Sequence, residues 1–234
     1  MNYSAISLFL IPTVLAENTS EKVLSPQVLD VIKNTNVFFV EEIRTARRFI
    51  SSLKLGKVID QLTFFELTKD TPGDVTREQL SGLTENAGII SEAGCPGIAD
   101  PGSVAVYYAH GLGLNVVPLV GPSSILLALM ASGMSGQSFA FHGYLPIDKA
   151  ERKKAILFLE KEARQIGRTQ IFMETPFRNN LMLDAVIETC QADTMVCVAS
   201  NLTSPEEFVK TATVKAWRKT KPDLHKQPTI FLIG

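Results

Sequence analysis

The chain has 234 residues, enough for one large domain or two of ordinary size. Hydrophobic residues make up 45% and charged residues 20%, which excludes a disordered chain, and a net charge of −1 gives no bulk attraction to nucleic acid, although a local basic patch can sit on a neutral protein. Three cysteines (Cys95, Cys190 and Cys197) form an odd set without CxxC spacing, which argues against a disulfide framework or a Cys-rich zinc site and fits a reducing compartment.

The first apolar run covers residues 6–15. No Lys or Arg precedes it, Pro12 interrupts it, and it is too short to span a bilayer. It is read as a buried strand over 6–11 rather than a signal, and the protein is expected to be cytoplasmic, with no membrane partner. A helix follows over 26–33, with Ser25 as N-cap and Pro26 in its first position. A strand at 37–40, an amphipathic helix at 44–53, a strand at 62–67 and a helix at 76–83 capped by Asp74 or Thr76 come next. The series continues with a strand at 87–91, a helix at 104–110, a strand at 114–120 and an apolar helix at 123–132. Beyond it lie a strand at 139–144, a charged helix at 149–163, a strand at 169–173, a helix at 179–189 and a strand at 195–199. Residues 206–219 read as a helix and a short strand, and 228–233 as a closing strand.

This alternation predicts α/β layering with mostly parallel sheets. So many strands exceed one ordinary sheet, so two α/β domains are expected, over 1–119 and 120–234. The basic run 215–226 (KAWRKTKPDLHK) reads as a solvated hairpin edge.

The sharpest motif is 91–102, SEAGCPGIADPG, directly after a strand and before a helix. Its glycines permit positive φ and close approach of a ligand, while its prolines stiffen the turn. Ligands in open α/β sheets bind at strand carboxyl ends, where this loop sits. Glu92 and Asp100 are its only charges, able to meet a cationic centre, an amino group or a ribose hydroxyl. A second turn, VGPSSILL at 120–127, also opens a helix; Ser123 or Ser124 can cap it or face a polar ligand. Glu41, Glu42 and Arg44 follow the second strand, and Glu174 and Arg178 flank METPFR. Either group reads as an ion pair of little worth or, at a strand end, as part of a site. No GxGxxG, Walker A or GxSxG sequence is present, and the isolated histidines lack metal-ligand spacing, so no metal site is expected.

Together these motifs resemble the tetrapyrrole methylase superfamily, the class III S-adenosylmethionine (SAM) methyltransferases, and within it the branch that 2′-O-methylates small-subunit ribosomal RNA. IPTVLAEN is similar to that branch's VPTPIGN, EEIRTAR to EDTRHTR, and SEAGCPGIADPG to SDAGTPGISDPG. VGPSSILLALMASGM resembles PGPSALLAALSASGL, FHGYLP resembles FxGFLP, METPFR resembles YESPHR, and ASNLTSPEE resembles RELTKxxEE. The resemblance implies SAM in a cleft between two domains, and a homodimer. It implies Pro12, Ala93, Gly94, Pro96, Gly97 and Asp100 around the cofactor. Gly121, Ser123 and Ser124 would line the adenosine side, joined by Glu174, Pro176 and Leu202. Arg44 and Arg178 would face the substrate, with Glu42 a candidate to take the acceptor's proton. Ribosomal RNA, or the small ribosomal subunit, would be the partner.

Departures cluster toward the substrate side. Ala16–Glu17–Asn18 replaces the family's glycine turn, Ile43 stands for Thr, Asn201 for an acid, and FFELTKD for an HN-containing stretch. A different methyl acceptor, small or macromolecular, or a SAM-binding homologue without turnover are the competing readings.

Overall fold

The computed structural model describes residues 6–234; residues 1–5, the non-basic lead into the first strand, lie outside the described residues. The chain divides into two compact units, the first ending at Ser123 and the second running Ser124–Gly234.

The first unit follows the order β1 (Ser7–Ile11), α1 (Ser20–Val23), α2 (Pro26–Asn34), β2 (Val37–Val40), α3 (Ile43–Ser52), β3 (Thr63–Glu66), α4 (Gly73–Ser81), β4 (Ala87–Ile90), α5 (Gly102–Gly111) and β5 (Asn115–Pro118). A 3-10 turn, Ile59–Gln61, precedes β3. Five strands form one sheet in the order β3-β2-β4-β1-β5, and every pairing in it is parallel. Strand β4 lies in its middle and is buried throughout, which explains its uniformly apolar AGII sequence. A side chain at Gly88 would bring its Cβ to 2.5 Å from Ile11 Cδ1, so a larger residue there would have to displace the end of the Ile11 side chain.

Helix α2 starts as its sequence predicts. Ser25 Oγ accepts from the Val28 amide at 3.4 Å, Pro26 fills the first turn, and Val28 and Ile32 form the buried stripe. Helix α3 buries Ala46 and Ile50, four residues apart, and leaves Arg44 and Arg48 exposed. Because all five strands are parallel, the segments after β1, β2, β4 and β5 leave the sheet at one edge.

The second unit contains α6 (Ser124–Ser132), β6 (Phe139–Tyr144), α7 (Lys149–Ile166), β7 (Thr169–Met173), α8 (Asn179–Thr189), β8 (Met195–Ser200), β9 (Phe208–Thr213), α9 (Val214–Trp217) and β10 (Thr229–Ile233). Its sheet runs β6-β7-β10-β8-β9. The two α/β units match the expected class, and parallel pairing predominates among the described residues, with four such pairs in the first sheet and one in the second. The second sheet is nonetheless mixed, since β10 runs antiparallel to β7 and β8, and β8 to β9. The cause is the connections. Helix α7 returns the chain to the starting edge, as a parallel pair requires, whereas no such helix separates β8 from β9 and only the four-residue α9 stands between β9 and β10.

Several local expectations need correction. Helix α4 starts earlier than predicted, with Pro72 at its N-cap and no side-chain cap; Thr76 is buried inside it and its hydroxyl donates back to Pro72 O at 3.4 Å. Residues 206–219 hold a strand and then a helix, the reverse of the predicted order. The basic run 215–226 is not a hairpin edge: α9 and an irregular segment occupy it, anchored by buried Trp217 and Leu224. Among the described residues no helix is long and apolar enough to cross a membrane.

Candidate functional site

In the first unit the loops after β1, β4 and β5 are tied into one assembly. The Thr13 amide donates to Gly94 O at 2.9 Å, the Thr13 hydroxyl to Ser91 O at 3.2 Å, and the Ser91 hydroxyl to Gly94 O at 3.0 Å. Thr13 and Ser91 are both buried, so these bonds are shielded from water. The Cys95 thiol donates to Pro122 O at 3.3 Å, joining the β4 loop to the turn after β5. Burial raises the Cys95 pKa, with Asp100 adding to the effect, so Cys95 is a packed thiol rather than a nucleophile.

Two glycines hold this assembly where no other residue fits. Gly94 has φ +75°, and a Cβ there would lie 3.2 Å from both Leu15 Cδ2 and Pro122 O. Gly121 meets the Pro12 ring, where a Cβ would stand 2.2 Å from Pro12 Cβ and Cγ.

The second half of the loop folds around Asp100. Its Oδ1 accepts from the Gly97 amide at 2.7 Å and the Gly102 amide at 2.8 Å, while its buried Oδ2 has no partner. Burial pushes the Asp100 carboxyl upward despite these two donors. Glu41, at the end of β2, is pushed up by burial first and then by the charges of Asp100 and Glu92. Glu92 is likewise raised by burial and by Glu42, against a hydrogen bond from Thr45 that favours its charged form. Among the described residues none of Glu41, Glu42, Glu92 or Asp100 has a salt-bridge partner. The strand edge is therefore rimmed by carboxylates without a salt-bridge partner among the described residues, and the charges of Asp100 and Glu92 bear on Glu41.

The expected residues of this unit fall into two groups. Pro12, Ala93, Gly94, Pro96, Gly97, Asp100 and Gly121 belong to the tied loops. Glu42 and Arg44 stand at the start of α3, where Glu42 is the N-cap and accepts from the Arg44 amide at 2.9 Å. The Glu42 carboxylate thus has a structural task that its sequence position did not reveal. From the sequence Glu41 reads, with Glu42 and Arg44, as an ion pair or as part of a site, whereas nothing local marks out the hydroxyls of Thr13 and Ser91. A pocket of about 400 Å³ opens beside these loops, lined among others by Leu15, Glu17, Asn18, Arg48, Glu92 and Ala93. The Ala16–Glu17–Asn18 turn, with Asn18 at φ +59°, forms part of its wall.

In the second unit Glu174 and Arg178 meet each other. The Glu174 side chain is fully buried, and its Oε1 accepts from Arg178 Nη2 and from the Thr175 amide, both at 2.6 Å. Glu174 Oε2 and Arg178 Nε are buried without partners. The pair is no surface ion pair, and the Arg178 guanidinium is committed to it. Nearby, Gln227 joins three segments: its carbonyl accepts from Asn179 Nδ2, its side-chain oxygen accepts from Asn201 Nδ2 at 3.1 Å, and its side-chain amide donates to Asp223 O at 2.9 Å. Asn201 and Thr203 adopt positive φ, 50° and 74°, on either side of buried Leu202. Strained backbone of this kind concentrates at functional sites. Ser123 and Ser124 stand at the entry to α6. His142 Nε2 donates to Gln170 Oε1 at 2.7 Å, a structural contact.

Glycine-shaped loops and an acidic rim at the strand ends of the parallel first sheet, in a chain of two α/β units, are those of an α/β methyltransferase. No family model matches the chain. It is 29% identical over 204 residues to "Ribosomal RNA small subunit methyltransferase I" of Vibrio cholerae, covering 87% of this chain and 67% of that protein. It is 31% identical over 204 residues to the protein of the same name from Bacillus subtilis, covering 87% of this chain and 66% of that protein. Among solved structures it is similar to the methyltransferase CobJ, with a TM-score of 0.65 and 17% identity over 99% of this chain and 94% of the other. It is also similar to uroporphyrin III C-methyltransferase from Thermus thermophilus, with a TM-score of 0.58 and 14% identity over 97% of both chains. The chain belongs to the tetrapyrrole methylase superfamily. It spans about two thirds of the length of the two curated relatives.

Proposed function

We propose that the chain is a SAM-dependent methyltransferase whose acceptor is a ribose 2′-hydroxyl of small-subunit ribosomal RNA. The observation that carries the cofactor is the rim of Glu41, Glu92 and Asp100, each raised first by burial, with the charges of Asp100 and Glu92 raising Glu41 further, and none with a salt-bridge partner among the described residues. SAM, when bound, supplies an electrophilic methyl on a sulfonium and carries a second positive charge on its amino group. Such a cation relieves the repulsion that the chain stores there, and the donor set fits it. Pro12, Ala93, Gly94, Pro96, Gly97, Asp100, Gly121 and Ser123 of the first unit would hold it. Glu174 would act through Arg178, to which its carboxylate is bonded.

Positioning is the main task of these residues, and an aligned donor and acceptor can lower the barrier by up to roughly 7–11 kcal/mol. Glu42 keeps one carboxylate oxygen on the Arg44 amide and has the other to accept the hydroxyl proton. Arg44 is exposed beside it, suited to an acceptor's phosphate. Ribosomal RNA as acceptor is supported by what the Vibrio and Bacillus relatives are named for. On this reading the enzyme works in the cytoplasm as a homodimer, which sedimentation of the purified protein would test. One observation favours a second reading, a small-molecule acceptor: the pocket beside the altered 16–18 turn is of ligand size.

Calorimetric titration with SAM tests the cofactor. Micromolar binding lost in Gly97→Val, where φ is +81°, is the expected result. A well-folded wild type that binds no SAM would overturn the proposal.

A further inference from the structure

A second feature of the Pro176–Arg178 turn is unused by the cofactor site. Phe177 is 68% exposed, although large aromatic side chains normally seek burial. Its ring is held from two directions. His225 meets it edge-on, with centroids 5.9 Å apart at 72°, and Lys226 Nζ lies 6.0 Å from its centroid. The contact is built from the backbone up. Lys226 adopts φ +60°, which costs a non-glycine residue energy, and its amide donates to Pro176 O at 3.0 Å. The His225 amide is fixed in turn by Asp223 Oδ1 at 3.0 Å. His225 and Lys226 are both exposed. They end the basic run that the sequence marks out at 215–226.

We propose that Phe177, flanked by Lys226 and His225, is a stacking platform for an unpaired base of the RNA substrate. This rests on the ribosomal RNA reading above. The physical match is specific. A base presents a π-face to an exposed aromatic ring, and the phosphate beside it meets a cation. The pre-set ring pays little side-chain entropy on contact, because Phe has two χ angles and its neighbours already restrict them. One acid lies beside the platform: Asp223 Oδ1 accepts from the His225 amide and from Asn180 Nδ2, so Lys226 is the cation placed to meet the phosphate.

The test is fluorescence anisotropy with labelled single-stranded oligoadenylate over a salt series. Phe177→Ala is expected to weaken binding roughly five-fold or more with an unchanged salt slope. Phe177→Trp should bind at least as well as wild type. Lys226→Ala should lower the salt slope by about one. Phe177 is exposed, so these variants should fold, and unchanged SAM affinity serves as the control. Wild-type affinity in Phe177→Ala, failure of Trp to rescue, or a change in oligomeric state in place of a change in RNA affinity would overturn the platform. Methyl transfer to small ribosomal subunits separates the two ideas. Transfer by a Phe177→Ala variant with undiminished RNA affinity removes the platform and leaves the activity standing, whereas RNA binding through Phe177 without any transfer removes the activity and leaves the platform.

Discussion

Gly121 lies against the ring of Pro12 so closely that a β-carbon on it would stand 2.2 Å from Pro12 Cβ and Cγ. Two segments far apart in sequence, the ends of β1 and β5, therefore share one contact that only glycine allows. Gly121→Ala must displace one of them. The expected outcome is a destabilisation of about 1–3 kcal/mol in urea unfolding together with weaker SAM binding by calorimetry. Normal stability and normal affinity in this variant would show that the contact does not shape the site.

Asp100 organises its own loop through two amide donors and keeps one oxygen buried and unpartnered. Asp100→Ala removes the oxygen that accepts from both amides and is expected to cost about 1–3 kcal/mol. Asp100→Asn retains the acceptor for the Gly97 and Gly102 amides and should unfold close to wild type. It should nevertheless bind SAM more weakly, because the charge is gone. Thermal unfolding and calorimetry on the same pair of variants separate the two roles.

The carboxylate rim gives a pH dependence with a definite sign. Glu41, Glu92 and Asp100 are raised in the folded protein, so each contributes stability that is complete below its unfolded pKa and is lost as pH rises through its folded value. The free protein should lose part of its stability as pH climbs through the upper carboxylate range. A bound cation reverses the preference, so SAM affinity should rise over the same interval. Glu41→Gln should flatten both curves. A SAM affinity that rises toward acid pH would contradict this electrostatic picture.

The pair of buried Glu174 and half-buried Arg178 should be costly to break on one side only. Arg178→Met leaves the Glu174 carboxylate buried without its counterion, with an expected loss of about 3–5 kcal/mol in chemical denaturation. The double variant Glu174→Gln with Arg178→Met should recover part of it, since no lone charge remains. Equal losses in the single and double variants would mean that the pair's charges are not coupled.

Much of the scaffold was legible because its signals are local. Ser25 and Pro26 mark the start of α2 by capping chemistry, and the apolar runs of β1 and β4 are what doubly covered strands require. The loop at 91–102 announced its shape through glycines whose positive φ at Gly94 and Gly97 the structure records. What stayed hidden depends on distant partners. The antiparallel direction of β10 is decided by which neighbours it meets, and its sequence, TIFLI, reads the same either way. Glu42 and Glu41 look alike in sequence; only the fold shows that one caps α3 while the other faces Asp100. The Glu174–Arg178 pair was visible as two residues four apart, but not that the carboxylate would be sealed from solvent. Short elements such as α1 and the 3-10 turn before β3 carry too few residues to show a period.

The most direct test of the function is transfer of a labelled methyl group from SAM to small ribosomal subunits lacking their native 2′-O-methylation. The expected result is label on a ribose 2′-oxygen of the RNA, recovered as an alkali-resistant dinucleotide and lost in Gly97→Val. SAM binding without label in RNA would contradict the assignment of ribosomal RNA as the acceptor.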